Sequence, residues 1–250
     1  MNSFYKQLAP MYHLLYPDWD SAIETQGRML RDIIRKEWNQ ATKKVLDVSC
    51  GIGTQSLALA ALGLDVTASD LSPEAVERAK KEAETRDLTI KFSVCDMKKA
   101  HECHGTGYDL VLCAGNALPH LLNDDEILEA LESMFACLEP GGGCLISMRQ
   151  YDQEKRGTGL FKPFGVRDEG DRRYVIFQIW DFVGERYKLS MYFVEENHET
   201  GESVTHVMRS EYYAISPDRV LDLMSQAGFD RVRRLDYGLE HPAILVGTRR

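Results

Sequence analysis

The stretch Val45–Ser72, VLDVSCGIGTQSLALAALGLDVTASDLS, carries the features that decide the fold. It predicts a short apolar strand, a turn with Gly51 and Gly53, an Ala- and Leu-rich helix that stops at Gly63, and a second strand that leads to Asp70. A strand, a tight turn, a helix and a second strand in this order form a unit in which the two strands run parallel. The stretch therefore favours an α/β fold with a parallel sheet.

The sequence on either side extends this alternation of strands and helices. Strands that alternate with helices at such spacing place helices on both faces of one sheet. The predicted helices are Ser21–Trp38, Gln55–Leu62, Pro73 to about Arg86, Asp124–Leu138 and Ser216–Ala227. The predicted strands are Lys44–Val48, Asp65–Ser69, Thr89–Val94, Tyr108–Cys113, Cys144–Met148, Arg231–Tyr237 and Ala243–Thr248.

The pattern changes after Tyr151. Three long strand-like runs, Tyr174–Phe182, Tyr187–Glu195 and Ser203–Ala214, follow one another with no helix between them. Such runs predict an antiparallel meander. We therefore expect one domain over residues 1–250, with an N-terminal helical cap at 1–40. An inserted antiparallel β subdomain at 153–214 would lie over or beside the active site.

Composition narrows the function classes. The chain has 250 residues, a formal net charge of −9 and no basic stripe, so nucleic acid binding is disfavoured. No apolar run approaches the roughly 20 residues that span a bilayer, and the N-terminus has no signal-peptide pattern, so we expect a cytoplasmic protein with no membrane partner. The six cysteines form no CxxC pair and most lie in apolar segments, which predicts buried free thiols.

One short cluster, His101-Glu102-Cys103-His104, contains candidate metal ligands. Adjacent residues in a loop rarely converge on one ion, and no partner pair stands at zinc-site spacing. The cluster is interpreted as a polar loop that ends in Gly105 and Gly107, and no metal is expected.

The glycine turn indicates the kind of ligand. A dinucleotide site would need a third glycine where Ser56 stands, and Asp47 just before the turn would repel a pyrophosphate while suiting a cation. Asp70 stands about twenty residues after Gly51, the distance at which a carboxylate binds ribose hydroxyls. Asp96 follows the third strand and could bind an exocyclic amine. These residues predict a pocket for a nucleoside that carries a positive group and no phosphate.

The segments VLDVSCGIGTQS, Asp70, Cys95-Asp96-Met97 and LEPGGGCLIS resemble the motifs of class I S-adenosylmethionine-dependent methyltransferases. The resemblance implies a seven-stranded sheet whose last strand is antiparallel. It also implies S-adenosylmethionine as methyl donor and S-adenosylhomocysteine as product. The donor is a sulfonium nucleoside without phosphate, in agreement with the pocket predicted from the glycine turn. The implied donor contacts are Asp47, Gly51, Gly53, Asp70, Leu71, Asp96, Met97, Cys113 and Tyr12.

Two further segments, CAGNALPHL at Cys113–Leu121 and SMRQYD at Ser147–Asp152, are similar to those of glycine, sarcosine and dimethylglycine N-methyltransferases. The similarity implies Asn116, His120 and Arg149 as catalytic or acceptor-site residues, with Arg149 on the carboxylate of an amino acid. Independently, Arg149 stands where a strand delivers side chains to the pocket, and its planar fork suits a carboxylate. A salt bridge to Asp152 is the alternative. The implied aromatic acceptor contacts are Tyr16, Tyr212 and Tyr213.

The foremost hypothesis is therefore a methyltransferase for a small-molecule acceptor, an amino acid such as glycine or sarcosine. Another small metabolite with an oxygen or carbon nucleophile, and a non-catalytic S-adenosylmethionine-binding subunit, remain alternatives. A nicotinamide dehydrogenase is argued against by Ser56 and Asp47. The sequence leaves open the acceptor, the number of methyl groups and the oligomeric state, a homo-oligomer included. It also leaves open whether the meander is a lid or an interface.

Overall fold

A computed structural model describes residues 3–38, 42–238 and 242–250. Residues 1, 2, 39 and 40 of the predicted cap lie outside the described residues. The α-helices are α1 (Ser3–Leu8), α2 (Trp19–Trp38), α3 (Thr54–Ala61), α4 (Pro73–Thr85), α5 (Ala100–His104), α6 (Asp124–Cys137) and α7 (Pro217–Gln226). The strands are β1 (Lys44–Asp47), β2 (Asp65–Asp70), β3 (Ile90–Val94), β4 (Tyr108–Cys113), β5 (Leu138–Met148), β6 (Leu160–Glu169), β7 (Arg172–Val183), β8 (Arg186–Asn197), β9 (Ser203–Tyr213), β10 (Asp230–Leu235) and β11 (Ala243–Thr248). Short 3₁₀ helices cover Ala9–Leu15, Met97–Lys99 and Leu118–His120.

Seven strands form one mixed sheet in the order β3-β2-β1-β4-β5-β11-β10. The pairs within β3-β2-β1-β4-β5 are parallel, whereas β11 is antiparallel to both β5 and β10. The predicted α/β fold, including its antiparallel last strand, is confirmed. Because the parallel strands end at one edge, the residues after β1, β2, β3, β4 and β5 meet there.

Local capping explains where the helices begin. Ser72 accepts a hydrogen bond from the Ala75 N–H at the start of α4, and Ser216 does the same for Arg219 at the start of α7. A proline follows each cap, where its fixed φ suits the first helical turn and its missing N–H costs nothing. These starts are confirmed as predicted.

Glycine at position 143 allows α2 to lie against the sheet. A Cβ atom built on Gly143 of β5 would lie 2.0 Å from the ring of Trp38 at the end of α2. The Trp38 indole N–H also donates to the Thr248 hydroxyl of β11 at 3.1 Å. The contact fixes the end of α2 across β5 and β11.

A second sheet contains four antiparallel strands in the order β6-β7-β8-β9, one more than predicted. The sequence analysis missed β6 because Pro163 and Gly165 break its pattern, and the register with β7 shifts between these two residues. β6 lies at an edge, where such residues are tolerated. The buried face of this sheet belongs to the same hydrophobic core as Cys113 and Met148, the last residues of β4 and β5.

Three local expectations were wrong. β5 begins at Leu138 rather than at Cys144, the predicted start of the strand. The cluster His101–His104 belongs to α5 rather than to a loop. Cys95 and Cys103 form a disulfide, while the other four cysteines are free and buried. None of the described helices combines the length and the apolar character needed to cross a membrane.

Candidate active site

The turn between β1 and α3 is built on two glycines with positive φ. Gly51 has φ +54° and Gly53 has φ +100°, a left-handed region that glycine enters without steric cost. The Gly51 N–H donates to a carboxylate oxygen of Asp70 at 2.8 Å, and the Gly53 N–H donates to the Cys50 carbonyl at 2.8 Å. The glycines therefore shape the backbone for a close approach, and their own N–H groups are used inside the protein.

Asp47 lies beneath this turn rather than on its open side. Its side chain is 1% exposed and accepts hydrogen bonds from the Ser56 hydroxyl at 2.6 Å and the Ser49 N–H at 3.1 Å. Burial raises the pKa of the Asp47 carboxyl to about 7, although both hydrogen bonds oppose the shift. Cys113 is likewise fully buried, with its sulfur 3.7 Å from the Ser49 hydroxyl. In this structure both residues support the turn from below.

A cleft runs along the carboxyl edge of the sheet, with an open volume of about 820 Å³ that is partly continuous with solvent. Four of the predicted donor contacts line it, namely Asp70, Leu71, Asp96 and Met97. Leu71 lines the cleft and is 40% exposed. An apolar side chain left open beside two carboxylates suits a planar base with polar edges.

The two carboxylates of the cleft are held in different ways. Asp70 accepts from the N–H groups of Gly51 and Ser72, at 2.8 and 2.9 Å. Burial still raises the pKa of Asp70 above its ordinary value. Asp96 accepts from the Lys98 N–H at 3.0 Å through one oxygen. Each acid is thus fixed in direction by backbone donors while it faces the cleft.

Arg149 follows β5 and lies among aromatic side chains. Its guanidinium stacks on Trp180, with Cζ 4.9 Å from the ring centroid, and donates to the Tyr187 hydroxyl at 3.1 Å. Asp152, the alternative partner considered from the sequence, instead lies 3.8 Å from Arg234. Within the part of the chain that the structure describes, no carboxylate forms a salt bridge with Arg149, and the residue as a whole is half-buried.

Asn116 holds Arg149 in place. It has φ +65°, and its side-chain oxygen accepts from the Arg149 backbone N–H at 2.9 Å. Its amide nitrogen donates to the hydroxyl of Tyr151 at 2.9 Å, and Tyr151 lies 3.0 Å from the hydroxyl of Tyr187. Asn116 thus connects the end of β4 to the surroundings of the guanidinium.

His120 stands between the cleft and Arg149. Its Nε2 atom is 2.6 Å from the Tyr5 hydroxyl, and its ring lies 4.1 Å from that of Tyr212. Burial, and then the charge of Arg149, lowers the pKa of His120 to about 3, so the imidazole is neutral at pH 7. The sequence analysis did not select Tyr5, because nothing in its local pattern distinguishes it from Tyr12 and Tyr16.

The four tyrosines predicted to line the site, Tyr12, Tyr16, Tyr212 and Tyr213, lie in different places in the structure. Burial, and then the neighbouring Tyr16, Tyr212 and Asp70, raises the pKa of Tyr12 well above its ordinary value, while the charge of Arg149 opposes the shift. Tyr212 also stacks on Tyr187 at 5.2 Å. Tyr16 lies near Thr54 and Gln26 at the glycine turn, and the Tyr213 hydroxyl donates to Asp124 at 2.9 Å. Tyr12 and Tyr212 therefore lie at the site, Tyr16 at its edge and Tyr213 outside it.

Sequence comparisons show that the chain is similar to methyltransferases. Residues 45–142 match a family model described as a methyltransferase domain. The glycine/sarcosine N-methyltransferase of Parasynechococcus marenigrum is 30% identical over 56% of this chain and 49% of its own length. The glycine/sarcosine N-methyltransferase of Halorhodospira halochloris is 24% identical over 86% of this chain and 75% of its own length. The chain thus spans about half of the first relative and three quarters of the second.

Solved structures share the fold over about nine tenths of the chain. An amino pentose methyltransferase of Micromonospora echinaspora, solved with S-adenosylmethionine bound, has a TM-score of 0.78 at 18% identity over 91% of this chain and 92% of its own. A sugar N-methyltransferase of a Streptoalloteichus species has a TM-score of 0.76 at 20% identity over 91% of this chain and 88% of its own. At these identities the likeness concerns the fold.

Proposed function

We propose that this chain, a class I S-adenosylmethionine-dependent methyltransferase in sequence and fold, methylates the amine of glycine, sarcosine or a similar small amino acid. The proposed acceptor follows from its resemblance to the glycine/sarcosine N-methyltransferases. The observation that carries the proposal is Arg149, a guanidinium without a carboxylate partner among the described residues at the carboxyl end of β5.

The cleft fits the methyl donor. Asp70 would accept hydrogen bonds from the ribose hydroxyls, and Asp96 would accept one from the adenine amine. Leu71 and Met97 line the same cleft and would cover the faces of the base. Bound S-adenosylmethionine would supply a methyl group already activated by its sulfonium. The cleft carries the two acids and the apolar wall that this nucleoside requires.

Arg149 supports an acceptor with a carboxylate. The guanidinium is partly desolvated because Trp180 and Tyr187 enclose it. Its electrostatic attraction to a bound anion is therefore stronger than it would be in water. Charge-assisted hydrogen bonds of this kind contribute about 1.5–3 kcal/mol. Such a partner would fix one end of an amino acid and leave its amine free to face the donor cleft.

The residues around the acceptor position it rather than activate it. Methyl transfer is a displacement at one carbon, and orientation supplies much of the rate. His120 is neutral at pH 7 and can accept a hydrogen bond through one nitrogen without repelling a cationic product. The aromatic faces of Tyr12 and Tyr212 favour a methylated ammonium once it forms. The amine would therefore bind neutral, after losing its proton to solvent.

The proposal is tested by the substitution Arg149→Lys, with Arg173→Ala as the matched control on the exposed face of β7. A lysine keeps the charge and loses the planar fork. We expect the KM for glycine or sarcosine to rise about tenfold or more, since one of two charge-assisted bonds is lost. Binding of S-adenosylhomocysteine, measured by calorimetry, should change less than twofold.

The acceptor class follows from a panel assay with labelled donor. Amino acids, amino sugars and phenols should be compared in the parent and in Arg149→Lys. Methylation of an amine that has no carboxylate, unaffected by Arg149→Lys, would contradict the amino acid assignment and favour a sugar acceptor. Donor binding without turnover on any acceptor would point to a non-catalytic subunit.

A further inference from the structure

The disulfide Cys95–Cys103 borders the donor cleft. Cys95 follows β3 and lines the cleft beside Asp96 and Met97. Its backbone N–H donates to the Asp70 carbonyl at 3.1 Å, so one end of the disulfide touches the residue proposed to bind ribose. The other end, Cys103, lies on α5 and is exposed to solvent.

The disulfide closes a loop that contains the second acid of the cleft. Residues 95–103 include Asp96, the 3₁₀ helix Met97–Lys99 and most of α5. The loop is also held at its far end, where His104 Nε2 lies 3.2 Å from the Ser69 hydroxyl, one residue before Asp70. The position of Asp96 and Met97 relative to Asp70 therefore depends on a covalent bond that an external thiol can reach.

We propose that Cys95 and Cys103 form a reversible thiol–disulfide pair whose oxidation state sets the affinity of the cleft for its nucleoside ligand. This inference rests on the proposed donor site and adds a modification site to it. The other four cysteines are buried and unpaired, so they do not compete for the same chemistry.

The chemistry is exchange with a low-molecular-weight disulfide, RSSR. The exposed Cys103 thiolate attacks one sulfur of RSSR, which forms a mixed disulfide and releases RS⁻. The Cys95 thiolate then attacks the Cys103 sulfur, forms the internal disulfide and releases a second RS⁻. The two protein protons leave with the two RSH molecules, and the ring of His104, within 4.8 Å of both sulfurs, is close enough to take one during exchange. A small thiol reverses both steps.

The oxidised form should bind more tightly. A closed loop has fewer conformations before binding, so ordering Asp96 and Met97 around the ligand costs less. We expect reduction to weaken the binding of S-adenosylhomocysteine about tenfold, because the reduced loop regains part of the conformational freedom that the disulfide removes and loses it again on binding. A disulfide in a reducing compartment is in general transient and sensing, which fits an exposed end at Cys103.

Calorimetric titration with S-adenosylhomocysteine tests the proposal on the full chain in two states. One sample is treated with oxidised glutathione and the other with dithiothreitol. Alkylation and mass spectrometry should count four free thiols in the first sample and six in the second. Cys103→Ser should bind like the reduced parent in both conditions. Cys137→Ser, which removes a buried thiol of α6, should respond like the parent.

Three results would overturn the inference. The first is equal affinity, within twofold, in the two verified thiol states. The second is a Cys103→Ser variant that still responds to oxidant. The third is a pair that stays reduced in excess oxidised glutathione. Absence of binding in every state would instead remove the proposed donor site itself, so the two failures are distinguishable.

Discussion

The buried carboxyl of Asp47 makes stability depend on pH in a defined direction. Its pKa is about 7 in the folded chain and about 3.9 in an unfolded one. An acid whose pKa is raised by folding binds more protons in the folded chain than in the unfolded chain. Its contribution to the free energy of unfolding is complete below the pKa of the unfolded state and is lost as pH rises through the pKa of the folded state. Asp47→Asn keeps the shape and can bond both Ser56 and Ser49, but it never ionises. The variant should therefore gain stability relative to the parent as pH rises from 4 to 8.

The difference between the two pKa values sets the size of the effect. Three units correspond to about 4 kcal/mol at most, at about 1.4 kcal/mol for each unit. For a chain of this length, 1 kcal/mol shifts the melting temperature by about 2–4 °C, so the variant-minus-parent difference should increase by about 10 °C between pH 4 and pH 8. The His120 pKa, lowered to about 3, has the opposite effect on pH dependence but is common to both proteins and cancels.

Differential scanning calorimetry without ligand measures this difference at several pH values. Asp218→Asn, at an exposed position in the first turn of α7, is the control and should give a flat difference. The reasoning from burial would be refuted if the melting temperature of Asp47→Asn minus that of the parent stayed constant with pH or decreased as pH rises.

Three further substitutions test the cleft and the fold. Asp70→Asn should weaken S-adenosylhomocysteine binding about tenfold or more in calorimetry, because charge-assisted bonds to ribose are lost; an unchanged Kd would remove Asp70 from the site. Tyr5→Phe removes the hydroxyl that lies 2.6 Å from His120, and should lower kcat/KM about fivefold with the donor Kd unchanged; full activity would show that this bond does not orient the ring. Gly143→Ala places a Cβ against Trp38 and should cost about 1–3 kcal/mol in urea unfolding, which an unchanged midpoint would contradict.

The parts of the fold that depend on local signals were predicted correctly. Ser72 with Pro73, and Ser216 with Pro217, marked helix starts because a cap acts within three or four residues. β6 was missed because Pro163 and Gly165 interrupt its strand pattern, which is tolerated at the edge of a sheet. The Cys95–Cys103 bond was missed because residues 101–104 were expected to form a loop, whereas α5 brings Cys103 to Cys95.

In the site, the order of the elements predicts which residues meet, whereas side-chain packing decides how each one is oriented. Asp70 and Asp96 meet because parallel strands end at one edge, which the order of elements predicts. The orientation of a side chain is harder to predict. Asp47 faces inward because Ser56 and Ser49 bind it, and neither contact is visible in the pattern. Tyr212 and Tyr213 are neighbours on β9, where successive side chains alternate sides, and only the register decides which one faces Arg149.

The two halves of the cleft come from separate stretches of the chain. Asp70, Leu71, Asp96 and Met97 of the cleft lie within the stretch from β1 to residue 97, whereas Trp180, Tyr187 and Tyr212 all belong to the sheet between β5 and α7. Such an arrangement is modular. An engineer who grafts this sheet from a homologue would change the aromatic side chains around Arg149 and leave Arg149 and the four residues of the cleft in place.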